Sequence, residues 1–344
     1  MARVIVTVPP YAPFLEKIAN HPVVEGFRLN TVMPLRDGEN VENLLGRLKE
    51  IAAPKPLWID LKCRQLRVSR GRFFDVPKNP TVIEVEGKKV ILDPSNPKAY
   101  GDLRTPPWAV LELDHEIELD TSKPVKCYMN DGLDRALIVG VRNGRELVML
   151  DGPEKLVGGG ESLNIMHPSL KIKGYLTDLD REYIEAGKKV GVNTVMLSFF
   201  EGAEDLNDLL EINPNAEVVA KIESEKGLGF VNNDYAQLAG GLRLMAARGD
   251  LYVEVRRPHL ILNAMRDIVE ADSEAIVASR ILPSLRRGYT PSAQDISDLG
   301  FLLEIGYDRF MVGDDICFKE NSLLGALNII NAISETYQPR KIML

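Results

Sequence analysis

Short apolar runs alternate with amphipathic stretches along most of this chain. Continuous apolar runs of four to eight residues are typical of strands buried on both faces of a parallel sheet. Apolar residues recurring every three or four positions predict helices. The predicted strands are residues 4–8, 26–30, 57–61, 194–199, 218–222, 242–247, 275–279 and 309–312. The predicted helices are residues 11–18, 41–51, 178–189, 203–212, 233–238, 258–270, 292–305 and 322–336.

Eight strands in alternation with eight helices predict an α/β fold, the (β/α)₈ or TIM barrel. The alternative is a doubly wound open sheet, which needs a glycine-rich fingerprint between an early strand and its helix. The run Gly158-Gly159-Gly160 neither follows a strand cleanly nor opens a helix. The barrel is therefore the favoured architecture.

The helical period is lost between residues 69 and 168. Short alternating runs stand there instead, separated by turn signals such as Asn143-Gly144, as expected for hairpins. We interpret residues 69–168 as a small β-rich domain inserted after strand three, and residues 1–68 and 169–344 as a discontinuous barrel. Because the insertion follows the carboxyl end of a barrel strand, it is expected to act as a lid over the active-site face.

Composition narrows the class of protein. The 344 residues carry a net charge of −8 without a basic stripe, which argues against a nucleic-acid partner. No apolar run reaches membrane length and the start has no signal-peptide architecture. The three cysteines are far apart without metal-ligand spacing, which is typical of a reducing compartment. We expect a cytoplasmic protein that does not bind membranes.

Two of the apolar runs end in charge. Predicted strand five ends in Lys221-Ile222-Glu223, and strand six is followed by Arg248-Gly249-Asp250. Reactive groups of barrel enzymes lie just past the carboxyl ends of the strands. A lysine and two carboxylates delivered there indicate a divalent metal and an anionic substrate. The structural alternative is that Lys221 and Glu223 are charges at the barrel rim, joined in a salt bridge.

In the order of these features the chain resembles the pyruvate kinase family. The family also has a barrel interrupted after strand three by a β domain. The resemblance rests on Leu176-Thr177-Asp178-Leu179-Asp180, on the run from Gly191 to Phe199, on Ala220-Lys221-Ile222-Glu223, and on the run Ala247-Arg248-Gly249-Asp250-Leu251-x-Val253-Glu254. It covers most of the chain and is strongest between residues 163 and 254.

The resemblance implies roles for the charged residues of strands two, five and six. Lys221 would stabilise the transferring phosphoryl group and the enolate, and Arg28 would face the transferred phosphate. Glu223 and Asp250 would hold Mg²⁺ or Mn²⁺ beside phosphoenolpyruvate. The backbone N–H groups of Gly249 and Asp250 would receive the substrate carboxylate, with Arg248 in the same substrate-binding run. Metal and cations together neutralise charge, which is what phosphoryl transfer mainly requires.

Further roles implied by the resemblance lie elsewhere on the chain. Asp60 and Asn30 would be ligands of a monovalent cation. Arg67 would be an arginine of the phosphate site, and Asp131 would be the aspartate of the lid domain. Ser279 keeps a hydroxyl where the family's threonine helps to protonate the enolate.

The departures from the family pattern fall on the nucleotide and monovalent-cation half of the site. Val32 and Met33 replace a Ser-His pair, and Leu61 replaces a threonine. These changes remove two hydroxyls, so a K⁺ requirement is not expected to carry over in full. Two further differences are Glu161 in place of the lid lysine and Gly313-Asp314-Asp315-Ile316 in place of Gly-Glu-Thr-Ala. The family's C-terminal regulatory domain is expected to be absent, which favours a monomer or homodimer.

The predicted function is metal-dependent phosphoryl transfer between phosphoenolpyruvate or pyruvate and an acceptor, either ADP or another compound. The expected partner is thus a small phosphorylated or 2-oxo acid. Two alternatives stay open. One is a non-catalytic regulator that binds phosphoenolpyruvate. The other is a carbon–carbon lyase or aldolase that acts through a metal-bound pyruvate enolate, since the same carboxylates would serve it.

Overall fold

The computed structural model describes residues 2–74, 81–85, 88–92, 108–129, 132–155, 157–238, 240–255 and 257–337. The chain divides into two units. The first contains Met1–Cys63 and Leu176–Leu344, and the second contains Arg64–Tyr175. The borders of the second unit lie a few residues outside the range 69–168 on both sides.

The first unit is a closed barrel of eight parallel strands, which confirms the predicted fold class. Each barrel strand pairs with its two neighbours, and the last strand closes on the first. Numbered through the whole chain, the barrel strands are β1 (Arg3–Thr7), β2 (Val24–Asn30), β3 (Leu57–Leu61), β14 (Thr194–Leu197), β15 (Glu217–Ile222), β16 (Leu242–Ala247), β17 (Ile276–Ala278) and β18 (Arg309–Val312). All eight were predicted from the sequence to within two residues at either end.

Helices follow the barrel strands, and most of them match the predicted amphipathic stretches. They are α1 (Leu15–Ala19), α2 (Val41–Ala52), α3 (Asp178–Val190), α4 (Ala203–Ile212), α5 (Glu225–Asn233), α6 (Tyr235–Leu238), α7 (Arg248–Glu254), α8 (Ile261–Ala271), α9 (Ala293–Glu304), α10 (Asp314–Cys317) and α11 (Glu320–Thr336). Among the described residues, no helix is long and apolar enough to cross a membrane.

Two of these helices differ most from the sequence expectation, besides α1, which begins four residues later than predicted, and the short α10, which was not among the predicted helices. The stretch 233–238 was predicted as a single helix, but the main helix here is α5, whose N-cap Ser224 accepts from the N–H of Gly227. A Cβ at Gly227 would lie 2.8 Å from the carbonyl oxygen of Phe200, so only glycine fits at this position. Glycine lowers helix propensity, which is why the sequence did not predict a helix here. The other difference is α7, which begins at Arg248 directly after β16, where the sequence indicated only a charge-ended strand.

The inserted unit consists mainly of antiparallel strands, with one six-stranded sheet in the order β12-β9-β10-β11-β7-β4 and the two-stranded sheets β13-β8 and β5-β6. Its strands are β4 (Val68–Phe74), β5 (Thr81–Val85), β6 (Lys88–Leu92), β7 (Trp108–Leu113), β8 (Ile117–Glu118), β9 (Val125–Met129), β10 (Asp134–Arg142), β11 (Glu146–Leu150), β12 (Leu163–Asn164) and β13 (Lys171–Ile172). Asn143 and Gly144 both have positive φ between β10 and β11, the backbone that the predicted Asn-Gly turn requires. The unit has its own apolar core.

The barrel resumes after the insertion at a capping box formed by Thr177 and Asp180. The Thr177 side chain accepts from the N–H of Asp180, and the Asp180 carboxylate accepts from the N–H of Thr177. Asp180 is fully buried and also accepts from the N–H groups of Lys62 and Cys63, just past β3. One carboxylate therefore ties the end of β3 to the start of α3.

Candidate active site

Side chains on alternate residues of the barrel strands point into the barrel interior. Ile5, Trp58, Met196, Val219 and Met311 belong to one buried cluster at its centre. The residues two positions further along the first four of these strands are Thr7, Asp60, Ser198 and Lys221, and Arg28 is the register partner of Thr7. Side chains two residues apart on a strand point to the same face. The polar side chains therefore point into the barrel interior like the core residues, and they lie together past the carboxyl-terminal end of the apolar cluster.

Lys221 is surrounded by acceptors at the end of β15. Its Nζ donates to Ser198 Oγ at 2.7 Å and to Asp60 Oδ1 at 3.2 Å, and lies 3.3 Å from Glu223 Oε1. Burial alone would lower the pKa of Lys221, but the charges of Asp60 and Glu223 hold it above its usual value. The ammonium is thus a fixed positive charge. The rim salt bridge considered for Lys221 and Glu223 is formed, although both residues are buried.

Asp60 lies between two cations. Oδ2 accepts from Arg28 Nε at 2.8 Å, while Oδ1 accepts from Lys221. Burial would raise the pKa of Asp60, but Lys221 and Arg28 outweigh it and hold the pKa below the usual range. Both carboxylate oxygens are engaged by cationic side chains, and the role of Asp60 as a ligand of a cation stays a prediction. Its place is that of an anionic support for Arg28 and Lys221.

Arg28 reaches a second carboxylate, on the opposite side of its guanidinium from Asp60. Nη1 donates to Thr7 Oγ1 at 3.2 Å and to Asp314 Oδ1 at 3.0 Å. Asn30 Nδ2 donates to Asp314 Oδ2 at 3.0 Å. Burial would lower the pKa of Arg28, but Asp60 and Asp314 raise it, so the guanidinium stays charged.

Glu223 stands apart from the other carboxylates because its ionised form is disfavoured. Burial, with a smaller contribution from the negative charge of Asp250, raises its pKa to about 7 against the opposing effect of Lys221. The N–H of Phe199 donates to Glu223 Oε2 at 2.8 Å. Two neighbouring carboxylates that repel each other are the arrangement that a cation would relieve.

The first turn of α7 presents Gly249 and Asp250 to the same end of the barrel as Glu223. A Cβ at Gly249 would lie 3.4 Å from Ser279 Oγ, which places the Ser279 hydroxyl beside this turn. The first N–H groups of a helix have no acceptor within the helix, so anionic groups bind there readily. The structure therefore brings together Lys221, Arg28, Asn30, Glu223, Asp250, Gly249 and Ser279 in the barrel unit.

Arg248 is directed to a different set of partners. Nη1 and Nη2 donate to the two carboxylate oxygens of Asp298 at 2.7 and 2.9 Å, and further N–H groups donate to the carbonyls of Ser279 and Arg280. Ser279 and Arg280 both have positive φ, which is costly for residues with a side chain. Arg248 thus holds the strained backbone of Ser279 and Arg280 in place, and its contact with substrate stays a prediction.

The two predicted site residues of the insertion have different outcomes. Arg67 lies in the second unit, where its guanidinium donates to the carbonyl of Gly160 and to the side-chain oxygen of Gln65. Asp131 lies outside the described residues. Their proposed contacts with substrate stay predictions.

Three groups of the site were not among the residues expected to act there: Ser198, Thr7 and Asp314. For the first two a signal existed, since each lies two residues beyond an apolar side chain of the barrel core. Asp314 stands out in the sequence only as part of the run that replaces the family's Gly-Glu-Thr-Ala pattern, and it begins α10. Asp314 follows β18 and contacts Arg28 and Asn30 of β2, which are far away in sequence, so no local sequence pattern indicates these contacts.

Comparison with known proteins supplies the family. The sequence model described as pyruvate kinase, barrel domain, matches residues 75–316, which is more than half of the chain. A pyruvate kinase of Borreliella burgdorferi is 23% identical over 337 residues, covering 93% of this chain and 65% of that protein. One of Agrobacterium vitis is 30% identical over 241 residues, covering 67% and 48%. One of Methylorubrum extorquens is 24% identical over 345 residues, covering 97% and 68%.

These relatives extend beyond the matched region. The chain spans between 48% and 68% of the length of the three relatives named. The similarity nevertheless includes Lys221, Glu223 and Asp250, which lie within residues 75–316. On the fold, the arrangement of these charges and the extent of the match, the chain belongs to the pyruvate kinase family.

Proposed function

We propose that this protein catalyses metal-dependent phosphoryl transfer between phosphoenolpyruvate or pyruvate and an acceptor such as ADP. The observation that carries the proposal is the buried ammonium of Lys221, held by Ser198, Asp60 and Glu223 within 3.3 Å. A buried charge costs stability even when it is paired. The presence of the Lys221 ammonium beside two carboxylates that repel each other supports a role for these groups in binding a charged substrate.

Different residues of the barrel would contact different parts of the substrate. The N-terminal turn of α7, at Gly249 and Asp250, would receive the carboxylate of a three-carbon acid. Lys221 would donate from Nζ to the oxygen on which negative charge develops, and Arg28 would contact the phosphoryl group. Such preorganised donors stabilise a transition state because they need no reorientation as the charge develops. Ser279 Oγ would deliver a proton to the enolate carbon.

A divalent metal fits the carboxylate pair of Glu223 and Asp250. Mg²⁺ retains several waters and is commonly held by one or two carboxylates together with oxygens of the substrate. Among the described residues, no three His, Cys, Asp or Glu side chains are grouped so as to hold a metal by themselves. A site with two protein carboxylates therefore relies on the substrate to complete it. When bound, the metal would supply charge neutralisation and polarise the substrate oxygen.

A monovalent cation fits less well. Asp60 already faces Arg28 and Lys221, and Asn30 donates from Nδ2 to Asp314. Val32 and Leu61 supply no hydroxyl at the positions where the family resemblance places one. We therefore assign no step of the reaction to K⁺.

The raised pKa of Glu223 predicts a pH-dependent metal affinity. Because a metal binds the ionised carboxylate, Mn²⁺ affinity should fall up to about tenfold per pH unit below pH 7 and level off above it. Without metal, the stability of the folded protein depends on pH in the opposite direction. A carboxyl whose pKa is higher in the folded state stabilises the protein most at low pH, and this contribution is lost as the pH rises through about 7.

Thermal unfolding with and without Mn²⁺ at pH 6 and pH 8 measures this effect without turnover. The Mn²⁺-induced rise in Tm should be larger at pH 8 and should vanish in Glu223→Gln. Glu217→Gln is the matched control, because Glu217 is the exposed first residue of the same strand, β15. A rise in Tm that is independent of pH, or that persists in Glu223→Gln, would contradict the assignment of Glu223 as a metal ligand.

Pyruvate release from phosphoenolpyruvate, with Mg²⁺ or Mn²⁺ and a panel of nucleoside diphosphates and other phosphoryl acceptors, tests the proposed activity. We expect metal-dependent release with at least one acceptor. No release with any acceptor would refute phosphoryl transfer. In that event, exchange of the pyruvate methyl protons with solvent would indicate enolate chemistry without phosphate, and ligand-induced stabilisation without exchange would indicate a binding protein.

A further inference from the structure

Asp314 is a carboxylate at the barrel mouth to which the reaction described above assigns no role. It is the first residue of α10, directly after Gly313 and the end of β18. Its side chain is 33% exposed, whereas that of Asp60, the other carboxylate on Arg28, is 2% exposed. Asp60 is therefore a buried support, while Asp314 lies on the open side of the guanidinium.

Both carboxylate oxygens of Asp314 accept hydrogen bonds from β2, one from Arg28, which is expected to meet the substrate phosphate, and one from Asn30. Oδ1 accepts from Arg28 Nη1 at 3.0 Å, and Oδ2 accepts from Asn30 Nδ2 at 3.0 Å. Carboxylate and phosphate oxygens are alternative acceptors for the same guanidinium geometry. In this arrangement Asp314 occupies the Arg28 donor that a phosphoryl oxygen would take.

We propose that Asp314 is a specificity-determining residue that competes with the phosphoryl group of the ligand for Arg28. This inference rests on the proposed function in one respect, the assignment of Arg28 to the phosphate. A phosphorylated acid must displace the Asp314 carboxylate or bind beside it, and like charges in contact are strongly disfavoured. A small dicarboxylate without phosphate that binds at Glu223 and Asp250 meets no such competition. Asp314 therefore lowers the preference of the site for phosphorylated ligands.

The competition has a direct test in Asp314→Asn, which removes the charge and keeps the size of the side chain. Binding constants are measured for inorganic phosphate alone, and for phosphoenolpyruvate and oxalate with Mn²⁺. Phosphate and phosphoenolpyruvate should bind about tenfold more tightly to Asp314→Asn, as expected for removal of one partly exposed like charge. Oxalate affinity should change by less than about twofold, because oxalate lacks the group that competes.

The neighbouring Asp315 provides a matched control. It is paired with Arg286 at 3.0 Å and its side chain is 60% exposed. Asp315→Asn removes the same charge one residue away and should leave all three affinities unchanged. An equal gain in phosphate affinity in both variants would show that any loss of negative charge near the site has this effect, and it would overturn the proposal.

Loss or constancy of phosphate affinity in Asp314→Asn would also overturn the proposal, because it would mean that Asp314 only holds Arg28 in position. A gain in affinity is a result that simple structural damage does not produce. If wild-type protein binds neither phosphoenolpyruvate nor oxalate, the proposed function fails. Inorganic phosphate then decides the inference alone, since it tests Arg28 without the metal site.

Discussion

Lys221→Gln is expected to lower kcat for phosphoenolpyruvate turnover by about 10³-fold or more. Removal of one preorganised donor at the site of developing charge commonly costs 10²- to 10³-fold, and a cation at a transferring phosphoryl group can contribute more. Glutamine can still hydrogen-bond to Ser198 and Asp60, so the loss would report the missing positive charge. Steady-state kinetics with saturating Mg²⁺ and the best acceptor measure it.

Lys226→Gln is the matched control for this substitution. Lys226 belongs to α5 on the same segment of chain, its side chain is 72% exposed, and its Nζ lies 3.8 Å from Glu201. The same change of residue type at this position should leave kcat within about twofold, because exposed ion pairs contribute little. If Lys221→Gln kept more than about a tenth of the wild-type kcat, the role assigned to the ammonium would be wrong.

The pattern of apolar residues was sufficient for the barrel. Strands such as β3 and β18 were predicted with their observed bounds, because a strand buried on both faces leaves a short, mostly apolar run in the sequence. Helix α5 was misplaced because it contains Gly227, which disfavours a helix locally. The glycine is required there by the close approach of the Phe200 carbonyl, a tertiary contact. Helix α7 was missed since it starts without a connecting turn after β16.

The site was predictable where its residues share a strand or a motif, and less so where they meet across the barrel. Lys221 and Glu223 followed from one charge-ended strand. The position of Asp60 between Lys221 and Arg28 depends on the register of three strands, which the sequence does not show. The strained backbone at Ser279 was equally hidden, because nothing in its residue type requires a positive φ.

This register gives one carboxylate an unusually large structural role. Asp60 faces the charged groups of both Arg28 and Lys221, and all three residues are buried. The carboxylate thereby stabilises two cations that belong to the phosphate-handling side of the proposed site. Function and stability depend here on the same ion pairs, so a change at Asp60 should affect both.

Asp60→Asn is expected to lower the free energy of unfolding of the barrel by about 3 kcal/mol at pH 7. Removing one partner from a buried ionic network leaves its cations without compensation, which commonly costs 3–5 kcal/mol. Asparagine keeps the volume and one acceptor, so the expected loss is at the lower end. Urea unfolding measures it. The control is Asp308→Asn, because Asp308 pairs with Arg3 Nη2 at 2.7 Å with a side chain 43% exposed, and should cost under about 1 kcal/mol.

The pH dependence of this difference identifies its cause. The pKa of Asp60 in the folded protein lies below its ordinary value of 3.8, so its contribution to stability is present above pH 3.8 and is lost as the pH falls through the folded pKa. The gap in unfolding free energy between wild type and Asp60→Asn should therefore stay constant from pH 7 to pH 5 and narrow below pH 3.8. A gap under about 1 kcal/mol at pH 7, or one that does not narrow in acid, would show that the ionised carboxylate does not hold the site together.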